Sequence, residues 1–422
     1  MVNINIHIGT TNESESNEFL KCLWAEIAKE FGKCAWQYMP SKQLIKGRIS
    51  FGHMDIDNDP NNFPSNLVFA VSVSYKERGT IKDIFFDADT KVPNKKEVFE
   101  RLKKTVNSAK QNIGNYSFFQ YSTGIKSMYS LSSYEGERFS IKIDSEKISK
   151  LTIRVESYDE NQGSGIATKK INQLMDFLSV ETNAPFWNTD ELDEDVSEEI
   201  GKEIYQEDEE FIDGLSYKDG HLVLSREGKD FVEKLVNLEN EDDQAMSLFL
   251  KACHHFHTAR RYHAQLENIY LVNPRKDGDK MTYEIKRHED LELAASMGDS
   301  HTEIATTLYL SALEVITLYN FKQENCETCS QPKFKIKQRV KEFITEHLNE
   351  FVAKQIGNYY DKRSFYLHRG SMLTRDMPTG SSIPLLDKND KTGCVDPVKV
   401  SLNNLREFTS YCMRKFYKEK LL

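Results

Sequence analysis

The spacing of apolar residues changes near residue 241, and this change limits the folds that the chain can adopt. Before that point, apolar and polar residues alternate in short runs, as at 2–8, 67–75, 138–143 and 151–155, which is the period of a half-buried strand. After it, apolar residues recur at three- and four-residue intervals, as one buried helix face requires. We therefore expect an α+β N-terminal domain followed by an all-α helical bundle.

Three regions follow from this pattern. Residues 1–187 form the expected α+β domain, to which we assign a sensing or regulatory role. Residues 188–240 are expected to be an acidic linker or a charged surface hairpin, because positions 190–213 carry 13 Asp and Glu against a single Lys. Residues 241–422 form the expected bundle, in which short connections join successive helices.

Five helices are expected in the bundle. The first begins near residue 241 and is about 30 residues long. The second opens with Ser300-His301-Thr302-Glu303, the capping-box pattern in which serine and glutamate side chains satisfy unpaired amides. The remaining helices are predicted over 335–356, 357–370 and 402–417, and Gly370 suits the left-handed cap at the end of the fourth.

The net charge of −10 comes from positions 190–213, because the rest of the chain carries 55 Lys and Arg against 53 Asp and Glu. Residues 331–422 alone carry 18 Lys and Arg against 10 Asp and Glu and are therefore basic. Net acidity therefore does not exclude nucleic-acid binding by the C-terminal region. One hypothesis is that residues 190–213 cover this basic surface and compete with a nucleic acid for it. The alternative is a solvated linker.

The sequence also indicates a cellular location. Its longest apolar runs, such as 67–73, are far shorter than the roughly 18–20 residues of a membrane-spanning helix, and residues 1–8 alternate like a strand rather than a signal peptide. Seven cysteines spread over 422 residues favour reduced thiols over a disulfide scaffold. We expect a cytoplasmic protein without a membrane partner.

The most informative motif lies in the predicted fourth helix, where Arg363 and His368 form an arginine-x4-histidine pattern before Gly370. An earlier helix carries Ala312-Leu313-Glu314. Together these features resemble the HEPN superfamily, and within it the HEPN domains related to the Apea anti-phage proteins. The resemblance covers roughly residues 241–422, including Cys326-Glu-Thr-Cys329, which is similar to the connector in some of those proteins.

The resemblance implies a metal-independent endoribonuclease that acts as a homodimer on RNA, in prokaryotic anti-phage defence or growth arrest as a toxin. It implies no cofactor and no metal ion, and a 2′,3′-cyclic phosphate product. Ser364 stands where many catalytic members carry asparagine, histidine or aspartate. The expected catalytic residues are Arg363 and His368, the supporting residues Glu314 and Ser364, and the RNA-binding residues Lys362, Tyr360 and Arg369.

The chemistry of these residue types agrees with that expectation. Histidine has an unperturbed pKa of about 6.5 and can therefore accept or donate a proton at neutral pH. Arginine offers a planar fork of donors to phosphate oxygens. Five residues of helix rotate by about 140°, so Arg363 and His368 cannot share one face. A composite site across a two-fold axis fits this spacing better than a site within one chain.

Alternatives remain open for each element of this interpretation. The whole domain could be a non-catalytic HEPN module that binds RNA, a nucleotide or a partner protein. Glu314 could orient Arg363 from the neighbouring helix or could be a solvated position, and Tyr360 could stack on RNA or pack in the core. An unknown trigger or partner could act on the N-terminal domain.

Two metal patterns are weak. Cys326 and Cys329 are half of a zinc site, and only Cys253 with His257 could complete it; a reduced thiol pair is the simpler interpretation. His254, His255 and His263 lie on the same predicted helix, and their spacing favours packing and solvent contact over a metal cage. The segment 55–66 begins like a calcium loop but lacks its glycine and its final glutamate.

Overall fold

A computed structural model gives the fold of the chain as two compact units, residues 1–119 with 155–166 and residues 120–154 with 167–422. This division differs from the boundaries at 187 and 241 that the sequence predicts. The structure describes residues 2–32, 34–37, 47–56, 67–88, 95–145, 147–190, 217–218, 221–238, 243–266, 269–277, 280–287, 291–325, 327, 330–369, 385–386, 394–395 and 402–422.

The first unit is built on an antiparallel five-stranded sheet of order β1-β5-β4-β3-β2. Alternation buries Phe69, Val71 and Val73 on one face of β4, as period-two patterning requires. The elements are β1 (Val2–His7), α1 (Glu13–Phe31), β2 (Cys34–Gln37), β3 (Ile49–Ile56), β4 (Leu67–Glu77), β5 (Thr80–Ala88) and α2 (Lys95–Gln111).

Helices α1 and α2 contribute apolar residues to the core of this sheet at four-residue intervals. Phe19, Leu23 and Ile27 of α1 are buried with Val98 and Leu102 of α2 in one hydrophobic cluster. Four-residue spacing places these side chains on one face of each helix, so the first unit has a core of its own. The α+β character expected for the N-terminal region is confirmed.

A second antiparallel sheet has the order β10-β6-β9-β8-β7. Its last strand in the chain, β10, pairs with β6 and crosses the predicted boundary between the α+β domain and the linker at 187/188. The elements are β6 (Ser117–Lys126), β7 (Tyr134–Glu135), β8 (Phe139–Ile143), β9 (Ile148–Ser157), α3 (Glu160–Thr182) and β10 (Trp187–Thr189).

Where the structure describes it, the C-terminal region is mainly helical but also carries antiparallel hairpins, so it is not all-α as the sequence predicts. Its helices are α4 (Arg226–Asn237), α5 (Gln244–Leu266), α6 (Leu291–Ile316), α7 (Ile336–His347), α8 (Glu350–Arg369) and α9 (Leu402–Lys420). Its hairpins pair β11 (Tyr217–Lys218) with β12 (His221–Leu222), β13 (Ile269–Asp277) with β14 (Lys280–Arg287), β15 (Glu324–Asn325) with β16 (Pro332–Lys333), and β17 (Leu385–Leu386) with β18 (Cys394–Val395).

Helix boundaries in this region differ from the predicted ones. The long first helix ends at Leu266, and β13 follows from Ile269, because Ile-Tyr-Leu-Val favours a strand that pairs with β14. The predicted third helix is interrupted at Asn349, whose side chain accepts a hydrogen bond from the Val352 amide at 2.9 Å. This N-cap starts α8 seven residues before the predicted start at 357.

Five buried aromatic side chains form the centre of the helical core. Phe231 of α4 contacts Phe177 of α3 with ring centroids 4.4 Å apart, and lies 5.3 Å from Phe249 of α5. Phe416 and Tyr417 of α9 complete the cluster. Helix α4 is therefore part of the core, although the sequence placed residues 188–240 in a linker.

The Glu181 carboxylate joins three of these helices. Its Oε2 accepts a hydrogen bond from the Tyr417 hydroxyl at 2.7 Å. Its Oε1 accepts from the Ser225 amide at 3.1 Å and from the Ser225 hydroxyl. Because Ser225 is the N-cap of α4, this single carboxylate connects α3, the start of α4 and α9.

Further expectations concern membrane-spanning helices, the acidic segment, the cysteine pair and the calcium-like pattern. In the part of the chain that the structure describes, no helix is long and apolar enough to span a membrane. Residues 191–213 of the acidic segment lie outside the described residues, as do Cys326, Cys329 and residues 57–66 of the calcium-like pattern.

We expect Tyr417→Phe to lower the free energy of unfolding by about 1.5–3 kcal/mol, because it removes a buried hydrogen bond to a carboxylate. Urea denaturation followed by circular dichroism measures this change. Tyr366→Phe is the matched control, since no hydrogen bond to the Tyr366 hydroxyl is present in the described part of the chain; it should change stability by less than about 0.5 kcal/mol. Equal effects of the two variants would contradict the role of Glu181.

Candidate active site

Helix α8 carries both residues of the arginine-x4-histidine motif. It packs against α7 and α6, and its N-cap at Asn349 fixes where it begins. The structure therefore places Arg363 and His368 near the end of a helix held by two neighbours. The helix ends at Arg369, close to the predicted end at Gly370.

Arg363 turns toward α6, where two side chains accept its hydrogen bonds. Its Nη1 donates to the Glu314 carboxylate, and its Nη2 donates to the Ser311 hydroxyl at 3.2 Å. Both members of the ion pair are only 18% exposed, so the pair is partly shielded from water and stabilises the fold more than a fully exposed pair would. Of the two alternatives for Glu314, the pairing with Arg363 is the one observed.

Tyr360 lies one helical turn before Arg363 and is buried, at 7% exposure. Its hydroxyl donates to the Leu310 carbonyl at 2.9 Å, and burial raises its pKa, with a further contribution from the negative charge of Glu314. An RNA base cannot reach a ring in this position. Core packing, the other role considered for Tyr360, is therefore the one that the structure supports.

His368 and Ser364 are exposed on α8. Five residues of helix separate His368 from Arg363 by about 140° of rotation and about 7.5 Å along the axis. Within one chain the structure therefore joins Arg363 to Glu314 but leaves His368 on a different face. The side chains of Lys362 and Arg369, the other expected RNA contacts, lie outside the described part of the chain.

Sequence reasoning missed three polar residues around this pair. Ser311 precedes Glu314 by three residues, so helical spacing alone could have indicated that the two share one face of α6. Burial lowers the pKa of Arg339 on α7, and the negative charge of the Glu314 carboxylate opposes this lowering. Arg339 therefore lies close to Glu314. His255 of α5 has its pKa lowered by burial and by the positive charges of His254 and Arg363. No sequence signal links Arg339 or His255 to the motif, because only tertiary packing brings them near it.

The neighbouring histidine of α5 has a structural role. The Nδ1 of His257 lies 2.7 Å from the Asp176 carboxylate, and its Nε2 lies 3.0 Å from the Phe186 amide nitrogen. Both ring nitrogens are therefore occupied, and His257 is buried. Among the described residues, no group of three His, Cys, Asp or Glu side chains could hold a metal ion.

Comparison with known proteins adds no family to this description. The chain matches no protein-family model, and no curated protein or solved structure is significantly similar to it. The resemblance to HEPN domains therefore rests on the motif residues of the sequence and remains a prediction.

The Glu314–Arg363 pair predicts a measurable coupling energy. Glu314→Gln and Arg363→Gln should each lower the free energy of unfolding by about 1–3 kcal/mol, because each leaves a largely buried charge without its partner. The double variant should lose less than the sum of the two, with a coupling of about 1–2 kcal/mol in a double-mutant cycle measured by urea denaturation.

The matched control for this cycle is the ion pair of Lys337 and Asp361, which joins α7 and α8 at 2.6 Å but is 46% and 55% exposed. Its coupling should be below about 1 kcal/mol, because water screens exposed pairs. Strict additivity at Glu314 and Arg363 would contradict a cooperative pair.

Proposed function

We propose that this protein is a metal-independent endoribonuclease of the HEPN type that cleaves RNA through the 2′-hydroxyl at a dimeric site. The observation that supports it is the shielded Glu314–Arg363 pair on the helix that also presents an exposed His368. The pair fixes one guanidinium, while the histidine stays accessible to an RNA backbone.

Arg363 has N–H groups that Glu314 and Ser311 do not use and that can bind phosphate. Each terminal nitrogen of a guanidinium carries two hydrogens, and Glu314 and Ser311 each accept one of them. One N–H on each terminal nitrogen therefore remains for the oxygens of the scissile phosphate. Because Glu314 and Ser311 restrict rotation of the Arg363 guanidinium, less side-chain entropy is lost when the phosphate binds.

The reaction needs two proton transfers. The 2′-oxygen attacks phosphorus as its proton passes to a base, and the bond from phosphorus to the 5′-oxygen breaks as that oxygen receives a proton. The products are a 2′,3′-cyclic phosphate and a free 5′-hydroxyl. His368 supplies one of these transfers, and Arg363 stabilises the negative charge that develops on the phosphorane.

A two-fold dimer would complete the site. Pairing two copies of α8 repeats the same patch on both subunits and brings a second His368 toward Arg363. Leu367, adjacent to His368, is 52% exposed and would be covered by such a contact. Tyr359 and Tyr360 of α8 would not contribute to this contact, because each is 7% exposed and belongs to the core.

The remaining regions would attract the RNA and control its cleavage. The basic C-terminal residues would attract RNA, and the N-terminal α+β region would receive a trigger or partner that controls cleavage. Such a trigger-controlled ribonuclease would serve anti-phage defence or growth arrest in the cytoplasm of a prokaryote.

One observation favours a second candidate, a non-catalytic module that binds RNA. Within one chain His368 and Arg363 are on different faces of α8, and Ser364 departs from the residues that many catalytic HEPN members carry. If the protein does not dimerise, the arginine could still bind phosphate without cleavage. RNA cleavage and the association state of the chain distinguish these candidates.

We expect the purified chain to cleave single-stranded or loop RNA in the presence of EDTA and to leave a 2′,3′-cyclic phosphate. His368→Ala should lower the cleavage rate by at least about a hundredfold, since general acid–base catalysis contributes about 10²–10⁴-fold. Gel analysis of end-labelled RNA, with and without phosphatase treatment, measures rate and product.

The matched control is His7→Ala, which removes another exposed histidine, with 69% side-chain exposure, from the first unit. It should leave cleavage unchanged. Activity retained in His368→Ala, or strict dependence on an added metal ion, would refute this mechanism.

Association of the chain gives a second, independent test. Light scattering at micromolar concentration should show a dimer that RNA stabilises, because the cationic groups of two sites repel each other until a phosphate binds. Leu367→Asp should weaken the dimer, while Phe351→Asp, which changes a 67% exposed side chain at the other end of α8, should not. A strict monomer with and without RNA would favour the non-catalytic module.

A further inference from the structure

Exposed lysines follow one side of α7, along the line where that helix meets α8. Lys337 and Lys341 are four residues apart, so they share a face of α7, and both are exposed. Residues 331–341 contain five Lys and Arg and no Asp or Glu. Like charges one turn apart repel each other, so this pair does not stabilise the helix. We call the line of contact between these lysines and α8 the α7–α8 seam.

A glycine inside α8 gives the two lysine side chains their place. A β-carbon at Gly357 would lie 3.3 Å from Cδ of Lys341 and 3.4 Å from Cε of Lys337. Both side chains therefore lie against the bare backbone of α8 at this position. Glycine in the interior of a helix costs about 1 kcal/mol relative to alanine. The chain thus loses helix stability at the position where the lysines reach α8.

The two ammonium groups differ in their partners. The Lys337 ammonium pairs with Asp361 of α8 at 2.6 Å, and this contact uses one of its three hydrogens. In the part of the chain that the structure describes, the Lys341 ammonium has no ion-pair or hydrogen-bond partner. Lys354 of α8 is also exposed, three residues before Gly357, and adds a further positive charge to the seam.

Acidic side chains do not cancel this charge. Asp361 is the single acidic residue between Gly357 and His368 in the sequence. Glu342 and Glu346 of α7 lie roughly 100–180° around the helix from the two lysines, and both line a cavity on that other side of α7. The seam therefore keeps a net positive charge that water, and not protein, surrounds.

The face of α8 that forms the seam also carries His368. Asp361 follows Gly357 by four residues, Ser364 by seven and His368 by eleven, which places all four within about 60° around the helix axis. Ser364 and His368 are exposed. His368 therefore lies at one end of the seam, about 16 Å along α8 from Gly357.

From this geometry we infer that the α7–α8 seam holds the sugar–phosphate backbone of single-stranded RNA, with Lys341 and Lys337 as the residues that guide the strand to His368. Lysine ammonium groups bind phosphate oxygens without reading the bases, so the seam supplies affinity and not sequence preference. Protein–protein interfaces are depleted in lysine, which favours RNA over an acidic protein as the occupant. The inference rests on the proposed ribonuclease function for the role of His368.

Fluorescence anisotropy of the full chain with a labelled single-stranded 2′-O-methyl oligonucleotide tests the inference without cleavage, because the methyl group blocks the attacking oxygen. Each phosphate contact on a single strand adds about 0.7 to the slope of log K against log salt concentration. Lys341→Gln should therefore lower that slope by about 0.7 and weaken binding at 0.1 M salt by about fivefold. Oligonucleotides of different base composition should show the same loss.

Cleavage of unmodified RNA gives a second measurement. Lys341→Gln should raise KM by a similar factor and leave kcat nearly unchanged, because a phosphate contact remote from the reacting atoms binds the ground state and the transition state equally. The matched control is Lys104→Gln, which removes the same charge from an exposed position on α2 of the first unit. It should leave the salt slope and KM unchanged.

Three outcomes would overturn the inference. The first is absence of oligonucleotide binding at low salt, and the second is an equal affinity and salt slope in the parent chain, Lys341→Gln and Lys337→Gln. The third is a poly-glutamate peptide that binds more tightly than the oligonucleotide and depends on Lys341, which would assign the seam to an acidic protein.

The failure of this inference differs from the failure of the ribonuclease proposal. RNA cleavage with a KM that is insensitive to Lys341→Gln and Lys337→Gln would contradict the seam alone. Oligonucleotide binding that depends on Lys341, in a chain that cleaves no RNA, would support the seam and contradict the ribonuclease proposal.

Discussion

The buried carboxylate of Glu181 is the interaction on which the helical region depends. It joins the end of α3 to the N-cap of α4 and to Tyr417 of α9, and these helices enclose the aromatic core. The residue before Tyr417 is Phe416, whose ring contacts Tyr319 at 5.5 Å and Phe343 at 6.3 Å. The position of α7 and the end of α6 therefore follows from how α9 is held.

The helical region contains charged side chains that are buried or largely buried and that pair with each other. Arg406 and Glu407 are adjacent on α9 and pair at 3.1 Å, with side-chain exposures of 7% and 4%. Isolated charges in such places would be costly, and pairing offsets the loss of hydration. Glu314 and Arg363 follow the same rule nearer the surface, where pairing holds the guanidinium in one orientation.

The sequence predicted those features that depend on local spacing. Alternation indicated the sheets of the N-terminal region, and three- and four-residue periodicity indicated the helices, including the one that carries Arg363 and His368. The start of α8 was predicted seven residues too late, although Asn349 before Glu350 is a recognisable N-cap followed by a favourable acidic residue. That error came from following periodicity past a capping signal.

Other features could not be predicted from local spacing. The sequence did not predict helix α4, because the acidic residues before it led us to assign 188–240 to a linker. Only the burial of Phe231 among aromatic rings that are distant in sequence shows that α4 belongs to the core. The burial of Tyr360 depends on the Leu310 carbonyl, fifty residues earlier in the chain. Arg339 reaches the surroundings of Glu314 from a different helix, and a single sequence contains no signal for that proximity.

The carboxylate of Glu314 lies within the electrostatic range of two guanidinium groups, Arg363 and Arg339. An anion bound to either arginine changes the electrostatic attraction between the Glu314 carboxylate and the other arginine. A phosphate bound to Arg363 would repel the Glu314 carboxylate and leave it more strongly attracted to Arg339. Because linkage is reciprocal, phosphate binding at Arg363 and the attraction between Glu314 and Arg339 alter each other by the same free energy, so the surroundings of the motif extend from α8 to a residue of α7.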